Sequence, residues 1–252
     1  MPRPGTHRRP AERLSRVTCP AWNLDLASIR RARTELRKAK TQASNFAPAL
    51  SLFARTLSLE WVLLGRTETE LLREAEKLAK EAIDLDPFDA SGYRELGRAA
   101  LFLYGPDASL EHFFAAERLA PHHADILADS ADTLVHNSDI ERASERMELA
   151  LNLNPIPPDE YRWTAGGIRF YRGDYQQGLQ MLRAMRQPEP ASRLMAACAA
   201  MAGDSRATEQ YRQQALSLHP DFTIEEWMRV MPQRSKEHQE KYVEALRLAG
   251  FK

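Results

Sequence analysis

His122, His123 and Asp125 stand close together in the sequence, and imidazole and carboxylate groups are common metal ligands. They follow Pro121, in a segment where solvated loop residues are expected between two helices. No further residue of a metal-ligating type stands at a helical spacing that would bring it to them. We therefore interpret them as loop residues and predict no metal site.

Other patterns of catalytic residues are absent from the sequence. It has no GxxxxGKS/T phosphate loop, no GxSxG nucleophile motif, no HExxH and no CxxC. Cys198 stands in the run MAACAAMAG, where a thiol is expected to pack rather than react. None of the carboxylates stands in a context that indicates a buried acid–base pair. We predict that the protein is not an enzyme and binds no cofactor.

The composition indicates the compartment. The two cysteines, Cys19 and Cys198, are far apart in the sequence, which suits a reducing cytoplasm. The mean hydropathy is −0.52 and no run approaches the roughly 20 apolar residues of a membrane span. No apolar core follows the N-terminal arginines, so a secretory signal is not expected. We expect a cytoplasmic protein without a membrane segment.

Positive charge is concentrated at the N-terminus. Residues 1–40 hold 11 Lys/Arg against three Asp/Glu, although the whole chain has a net charge of zero. Such an arm can bind nucleic acid, which leaves a nucleic-acid-associated transcriptional regulator as an alternative function. We favour the simpler interpretation, in which residues 1–24 form a basic, disordered arm that keeps the chain soluble.

Any side chains that bind a partner must be positioned by the secondary structure, and the sequence shows a pattern that recurs every 34 residues. Pro87, Pro121 and Pro155 are spaced by this period. A small residue stands five positions before each proline: Ala82, Ala116 and Ala150. Proline ends a helix because it lacks an N–H and restricts the residue before it. A fixed period of this length is typical of stacked helix pairs.

Residues 90–123 and 124–157 show the pattern in detail. The first matches at Tyr93, Leu96, Gly97, Ser109, Phe113, Ala116 and Pro121, and the second at Ala143, Met147, Ala150 and Pro155. Small residues allow two helices to approach to about 8–10 Å, and a large one fills the groove between them. These positions resemble the tetratricopeptide repeat (TPR). The resemblance implies an all-α protein, a right-handed α-solenoid of helix-turn-helix repeats with a C-terminal capping helix.

The pattern divides the chain into units. We predict a TPR array over 25–220, made of a half repeat at 25–44 and repeats at about 45–87, 88–123, 124–157, 158–190 and 191–220. The register of 45–87 and of 156–220 is left open. Cap helices are predicted at 221–252, with a capping box at Thr223 and Glu226 and a helix end at Gly250. The residues expected to cover the open end of the array are Trp227, Tyr242, Leu246 and Phe251.

The C-terminal residues carry a more specific resemblance. LHPDFTIEEWMR and the final LRLAGF resemble the C-terminal TPR regions of bacterial class III adenylate cyclases and of TPR-bearing transcriptional activators. The resemblance implies a role in bacterial signalling or transcriptional regulation. Residues 1–26 are too short for a catalytic or DNA-binding domain. We therefore predict a shortened relative of a longer signalling protein, and a remnant of a TPR-containing adenylate cyclase is a second alternative.

The TPR resemblance implies that a peptide or partner domain is held in a concave groove lined by the first helix of each repeat. The candidate groove residues are Arg94, Arg98, Phe102, Asp125, Asp129, Asp132, Trp163 and Phe170. The two arginines either bind an acidic partner or pair with Asp129 and Asp132 on the next first helix. The aromatic residues of 158–172 are either core residues or a ligand platform. We predict a non-catalytic protein–protein interaction module.

The half repeat suggests a second interaction surface. Its helix has Ala32, Leu36 and Ala39 at the small, large and small positions, but the proline-rich residues 1–24 cannot supply its first helix. An apolar flank formed by Trp22, Leu26, Ile29 and Leu36 is then expected to lack a cover. We predict that this flank forms a homodimer through residues 25–44 or binds another chain.

Overall fold

The structure, a computed structural model, describes residues 24–42, 45–65 and 68–252. These residues form thirteen α-helices and one 3-10 turn at Glu189–Ala191, and no strand. The helices are α1 Leu26–Gln42, α2 Ala47–Leu64, α3 Glu70–Leu85, α4 Ala90–Tyr104, α5 Pro106–Leu119, α6 Ala124–His136, α7 Ile140–Leu153, α8 Asp159–Arg172, α9 Tyr175–Arg183, α10 Ser192–Met201, α11 Ser205–Leu218, α12 Ile224–Val230 and α13 Lys236–Leu248. The predicted arm lies outside the described residues except for Leu24, which is buried.

From α2 onward the helices pack in consecutive pairs, α2–α3, α4–α5, α6–α7, α8–α9 and α10–α11. Each pair packs against the next, and α1 packs against α2. The first helices of successive pairs also contact one another, so α2, α4, α6, α8 and α10 form one continuous layer. The predicted all-α solenoid of helix pairs is confirmed.

Glycine permits the close approach within two of the helix pairs. A Cβ atom at Gly97 would lie 3.0 Å from the Phe113 ring, and one at Gly166 would lie 2.6 Å from Leu182 Cδ2. Ser109 uses the same proximity, because its Oγ donates a hydrogen bond to the Gly97 carbonyl at 2.8 Å. The small and large residues of the repeat therefore act as the sequence pattern requires.

Gly166 and its neighbour Gly167 offer a matched test of this packing. Gly166→Ala is expected to lower the free energy of unfolding by about 1–3 kcal/mol, because the added methyl group overlaps the fully buried Leu182. Gly167→Ala is expected to be neutral or to raise it by up to about 1 kcal/mol, because no atom lies within 4 Å of its Cβ position. Urea unfolding of both variants measures the difference. Equal effects would contradict the packing of α8 on α9.

The helix ends follow the predicted signals at the C-terminus. Thr223 Oγ1 accepts a hydrogen bond from the Glu226 amide at 3.2 Å, which caps α12. Gly250 follows α13 with a φ of 85°, a left-handed conformation that glycine adopts without strain. Tyr242, Leu246 and Phe251 are buried in the main core.

The predicted uncovered flank of α1 is wrong for the residues that the structure describes. Ile29 and Leu36 are fully buried, and Leu26 packs against the core. Trp22 lies outside the described residues. The solvent-facing side of α1 carries polar side chains: Arg31, Thr34, Glu35 and Lys38. The helix therefore presents no apolar face on which the expected homodimer could rest.

Helix α2 is the most apolar element of the described chain. Among the helices of residues 24–42, 45–65 and 68–252, it alone is long and apolar enough to cross a membrane by length and composition. However, 78% of this helix is buried within the fold. It packs against α1, α3 and α4, as the core helix of a helical protein does.

Candidate functional site: the concave groove

The floor of the groove is a network of buried charges contributed by four successive first helices. We call this the floor network: Arg55 of α2, Arg94, Glu95 and Arg98 of α4, Asp125 and Asp129 of α6, and Glu160 of α8. Spacings of four residues place two arginines on one face of α4 and two aspartates on the facing side of α6. The sequence therefore brings opposite charges together wherever these helices adjoin.

Asp129 is the centre of the floor network. Its Oδ2 accepts a hydrogen bond from Arg94 Nε at 2.6 Å, and its Oδ1 accepts one from Arg98 Nη1 at 2.7 Å. Arg98 Nη2 continues to Glu160 Oε1 at 3.2 Å, and Glu160 Oε2 also accepts from Arg55. Charge-assisted bonds of this kind are about twice as strong as neutral ones, so the network fixes α2, α4, α6 and α8 relative to one another.

Burial and ion pairing act in opposite directions on the carboxylates of the network. Burial alone would raise the pKa of Asp129, but the guanidinium groups of Arg94, Arg98 and Arg55 outweigh it and lower the pKa to about 2. For Glu95, burial dominates over the same arginines, and its pKa lies above the usual value. Asp129 is therefore ionised at neutral pH.

The charged groove residues predicted from the sequence thus form ion pairs within the chain. Arg94, Arg98, Asp125 and Asp129 are all members of the floor network. Of the two alternatives for the arginines, pairing across adjacent helices describes their contacts. Asp132 differs from the predicted pairing, because its Oδ1 accepts a hydrogen bond from Thr164 Oγ1 at 3.1 Å.

The predicted aromatic groove residues lie in two different places. Phe102 and Trp163 line a cavity in the groove above the floor network. Phe170 does not, because it is fully buried between α8 and the C-terminal helix, with its ring centroid 5.7 Å from that of Tyr242. Its assignment to the groove is corrected: α13 covers this side of α8, so Phe170 is a core residue.

Residues 221–235, which we call the C-terminal strap, cross the concave side of the solenoid. The Arg234 backbone N–H donates to the His136 carbonyl at 2.9 Å, at the C-terminal end of α6. Gln233 Nε2 donates to the Val135 carbonyl at 3.1 Å and to Ser138 Oγ at 3.1 Å. The strap is thus fixed to a first helix nearly 100 residues earlier in the chain.

Trp227 anchors the other part of the strap. Its ring lies 4.0 Å from the Cζ atom of Arg193 on α10, a cation–π contact. Trp227 and Met231 close over the groove and leave a cavity of about 190 Å³ between the strap and the first helices. The role predicted for Trp227, covering the open end of the array, is therefore wrong, because this side chain lies in the groove.

Sequence reasoning does not find Arg55, Glu160 or Arg193 as groove residues. A signal exists for Arg55, since it is a lone charge within the apolar run LSLFARTLSLEW, and a buried charge requires a partner. The partner itself cannot be read from the sequence, because Glu160 lies 105 residues away.

The other candidate chemical groups, the two histidines and Cys198, lie outside the groove. His122 and His123 are exposed after Pro121, as expected of loop residues. Cys198 is fully buried, and burial raises the pKa of its thiol to about 12, so it is a packing residue. In the described part of the chain, no group of three or more His, Cys, Asp or Glu side chains is arranged to hold a metal ion.

No protein-family model matches the sequence, and none of the curated proteins matches it. Solved structures do resemble it. A thermophilic TPR protein of Thermus thermophilus shares 19% identity over 82% of this chain and 100% of its own, with a TM-score of 0.56. The fold is that of tetratricopeptide-repeat proteins.

Two further structures resemble this TPR array. PilW, a widely conserved type IV pilus biogenesis factor, is 16% identical over 76% of this chain and 90% of its own, with a TM-score of 0.54. In the APC/C hetero-tetramer Cut9–Hcn1, the similar chain is 16% identical over 89% of this chain, with a TM-score of 0.63. The match covers only 43% of the length of that similar chain. Identities this low describe the fold and not the function.

Proposed function

We propose that this chain is a non-catalytic protein-interaction module whose concave groove binds a segment of a partner protein in place of the C-terminal strap. The groove has a rigid floor, aromatic side chains at Phe102 and Trp163, and carbonyl groups at the end of α6 that accept hydrogen bonds. These are the elements from which helical-repeat grooves bind polypeptide.

The strap itself is the observation that carries this proposal. It is bound as a peptide ligand would be, with one aromatic anchor at Trp227 and a backbone hydrogen bond from Arg234. Backbone contacts supply affinity without depending on sequence, and the anchor supplies specificity. A partner segment with an aromatic residue six or seven positions before the residues that bond to the α6 carbonyls would make the same contacts. One similar structure, Cut9–Hcn1, is a hetero-tetramer, so a solenoid of this fold occurs in an assembly with another protein.

The charges of α1 favour a protein partner over a nucleic acid at this helix, whereas the basic residues 1–23 lie outside the described part of the chain. Carboxylates of the same chain already pair with four cations of this helix: Arg30 and Arg33 with Glu60, Lys38 with Glu35, and Lys40 with Glu81. Binding to a nucleic acid requires unpaired Lys or Arg side chains that neutralise its phosphates and release the counterions bound to them. The further proposal of a cytoplasmic role in bacterial signalling or transcriptional regulation is supported by the C-terminal sequence resemblance alone.

Affinity capture from the native lysate tests the groove, with four forms of the full chain as bait. We expect a partner to be captured by the wild type, to be enriched by Gln233→Ala, which loosens the strap, and to be lost with Trp163→Ala. The matched control is Ile156→Ala in the loop after Pro155, where the side chain is 83% exposed. Circular dichroism confirms that each bait is folded.

Two outcomes would contradict the proposal. A partner that is lost with Ile156→Ala and kept with Trp163→Ala binds the loop edge instead of the groove. A partner bound equally by the wild type and Gln233→Ala does not compete with the strap.

A further inference from the structure

Arg193 differs from the other buried arginines of the groove. It is only 8% exposed, yet its guanidinium contacts the rings of Trp227 and Phe222, at 4.0 and 4.9 Å, and no carboxylate among the described residues lies within 4 Å of it. Its Nη1 atom is buried and has no hydrogen-bond partner. A buried cation without a counter-ion is unfavourable, so the site lacks an anion that would complete it.

Two further hydrogen-bond donors in the same cavity are also unsatisfied. Trp227 Nε1 and the Tyr171 hydroxyl are buried without a partner, and both side chains line the cavity together with Arg193. Native structures leave few buried polar groups unpaired, and each such group requires an explanation. Three unpaired donors, one of them cationic, in side chains that line one cavity fit a ligand with a negatively charged group of acceptor oxygens.

The rest of the cavity determines the body of that ligand. Apolar side chains form most of the wall, including Leu63, Leu194 and Met231. The carboxylates of Asp129, Asp132 and Glu160 also line the cavity, and each already accepts a hydrogen bond within the chain. The volume is about 190 Å³, and a cavity of about 150 Å³ is enough to bind benzene. The space therefore holds one aromatic ring with a small substituent.

We propose that this cavity binds a small organic carboxylate with an apolar body of about one aromatic ring. Arg193 and Trp227 Nε1 bind the carboxylate, the Tyr171 hydroxyl donates to it, and the apolar wall contacts the ring. Burial lowers the pKa of Arg193 from its usual value, but an arginine remains charged at neutral pH and can supply the cation. Because Trp227 belongs to the strap and Arg193 to α10, the bound ligand also holds the strap in place. This inference does not depend on the proposed protein partner.

Isothermal titration of the full chain with phenylacetate tests the proposal, with 2-phenylacetamide as the neutral analogue of the same shape. We expect saturable binding of one phenylacetate per chain and at least tenfold weaker binding of the amide. Arg193→Met is expected to weaken phenylacetate binding at least tenfold, and Trp227→Phe, which keeps the ring but removes the donor, at least threefold. Arg229→Met, an exposed arginine on the same helix as Trp227, is the control and should change nothing.

A thermal melt without ligand separates the binding role of Arg193 from a structural one. If Arg193 awaits an anion, Arg193→Met leaves the melting temperature unchanged or raises it, because the unpaired buried cation is removed. If Arg193→Met fails to fold, Trp227→Phe and Tyr171→Phe carry the test, since both retain the aromatic packing. The proposal is overturned if the wild type shows no saturable phenylacetate binding, if the amide or inorganic phosphate binds as tightly, or if the donor variants bind like the wild type.

Discussion

Replacing Asp129 by alanine is expected to lower the free energy of unfolding by about 3–5 kcal/mol, the usual cost of removing one partner from a buried ion pair. The carboxylate accepts hydrogen bonds from Arg94 and Arg98, at 2.6 and 2.7 Å. Without it, both guanidinium groups stay buried and lose their main counter-ion. Urea unfolding monitored by circular dichroism measures the change.

The control for this prediction is an exposed ion pair of the same type. Glu225 pairs with Arg229 on the surface of α12, where both side chains are mostly in solvent. Glu225→Ala is expected to change the free energy of unfolding by no more than about 1 kcal/mol. If Asp129→Ala were as mild as Glu225→Ala, the floor network would be solvated and the groove would have no rigid floor.

Phe113→Ala is expected to destabilise the chain by about 3–5 kcal/mol, because it leaves a cavity inside one helix pair. The ring is 1% exposed and lies where α5 packs against Gly97 of α4. The same urea experiment measures this loss.

Phe88 provides the comparison for Phe113. It follows Pro87 in the loop before α4 and is 83% exposed. Phe88→Ala is expected to stay within about 0.5 kcal/mol of the wild type, as surface substitutions usually do. A loss at Phe113 no larger than that at Phe88 would show that α4 and α5 do not pack as a pair.

The helix pairs could be predicted from the sequence because each repeat is stabilised by local contacts. A helix ends two residues before each of Pro87, Pro121 and Pro155, and Gly97 with Phe113 fixes the contact within one pair. These rules act over fewer than 34 residues. The pairing of Arg94 and Arg98 with α6 was also accessible, because adjacent first helices repeat at the same period.

The strap and its contacts could not be predicted from the sequence for the opposite reason. The hydrogen bond from Gln233 to the Val135 carbonyl spans 98 residues, and the contact between Arg55 and Glu160 spans 105. Such contacts depend on how far the solenoid curves over five helix pairs, which no local pattern specifies. The local sequence therefore predicts that Trp227 covers the end of the array, whereas it lies in the groove.

The apolar side chains of α1 show that a prediction from the local sequence overestimates their solvent exposure. Ile29 lacks the first helix of its own repeat, so the sequence predicts an open surface. In the structure it joins a core that contains Leu59 and Leu63 of α2, and Leu24 packs into the same cluster. Leu24 itself is held by a hydrogen bond from its backbone N–H to Gln187 Oε1 at 2.9 Å, a contact across the solenoid.

The exchange of the strap for another segment is the central claim, and a labelled peptide tests it most directly. A fluorescent peptide with the sequence of residues 221–235, DFTIEEWMRVMPQRS, is titrated into the full wild-type chain and into Gln233→Ala, with fluorescence polarisation as the readout.

In the wild type, the tethered strap competes at an effective concentration on the order of millimolar. Gln233→Ala removes hydrogen bonds to Val135 and Ser138 and should open the groove. We predict at least tenfold tighter binding to Gln233→Ala than to the wild type, and none of a scrambled peptide. Equal binding to both proteins, or no binding to either, would contradict a groove that exchanges its strap for a partner.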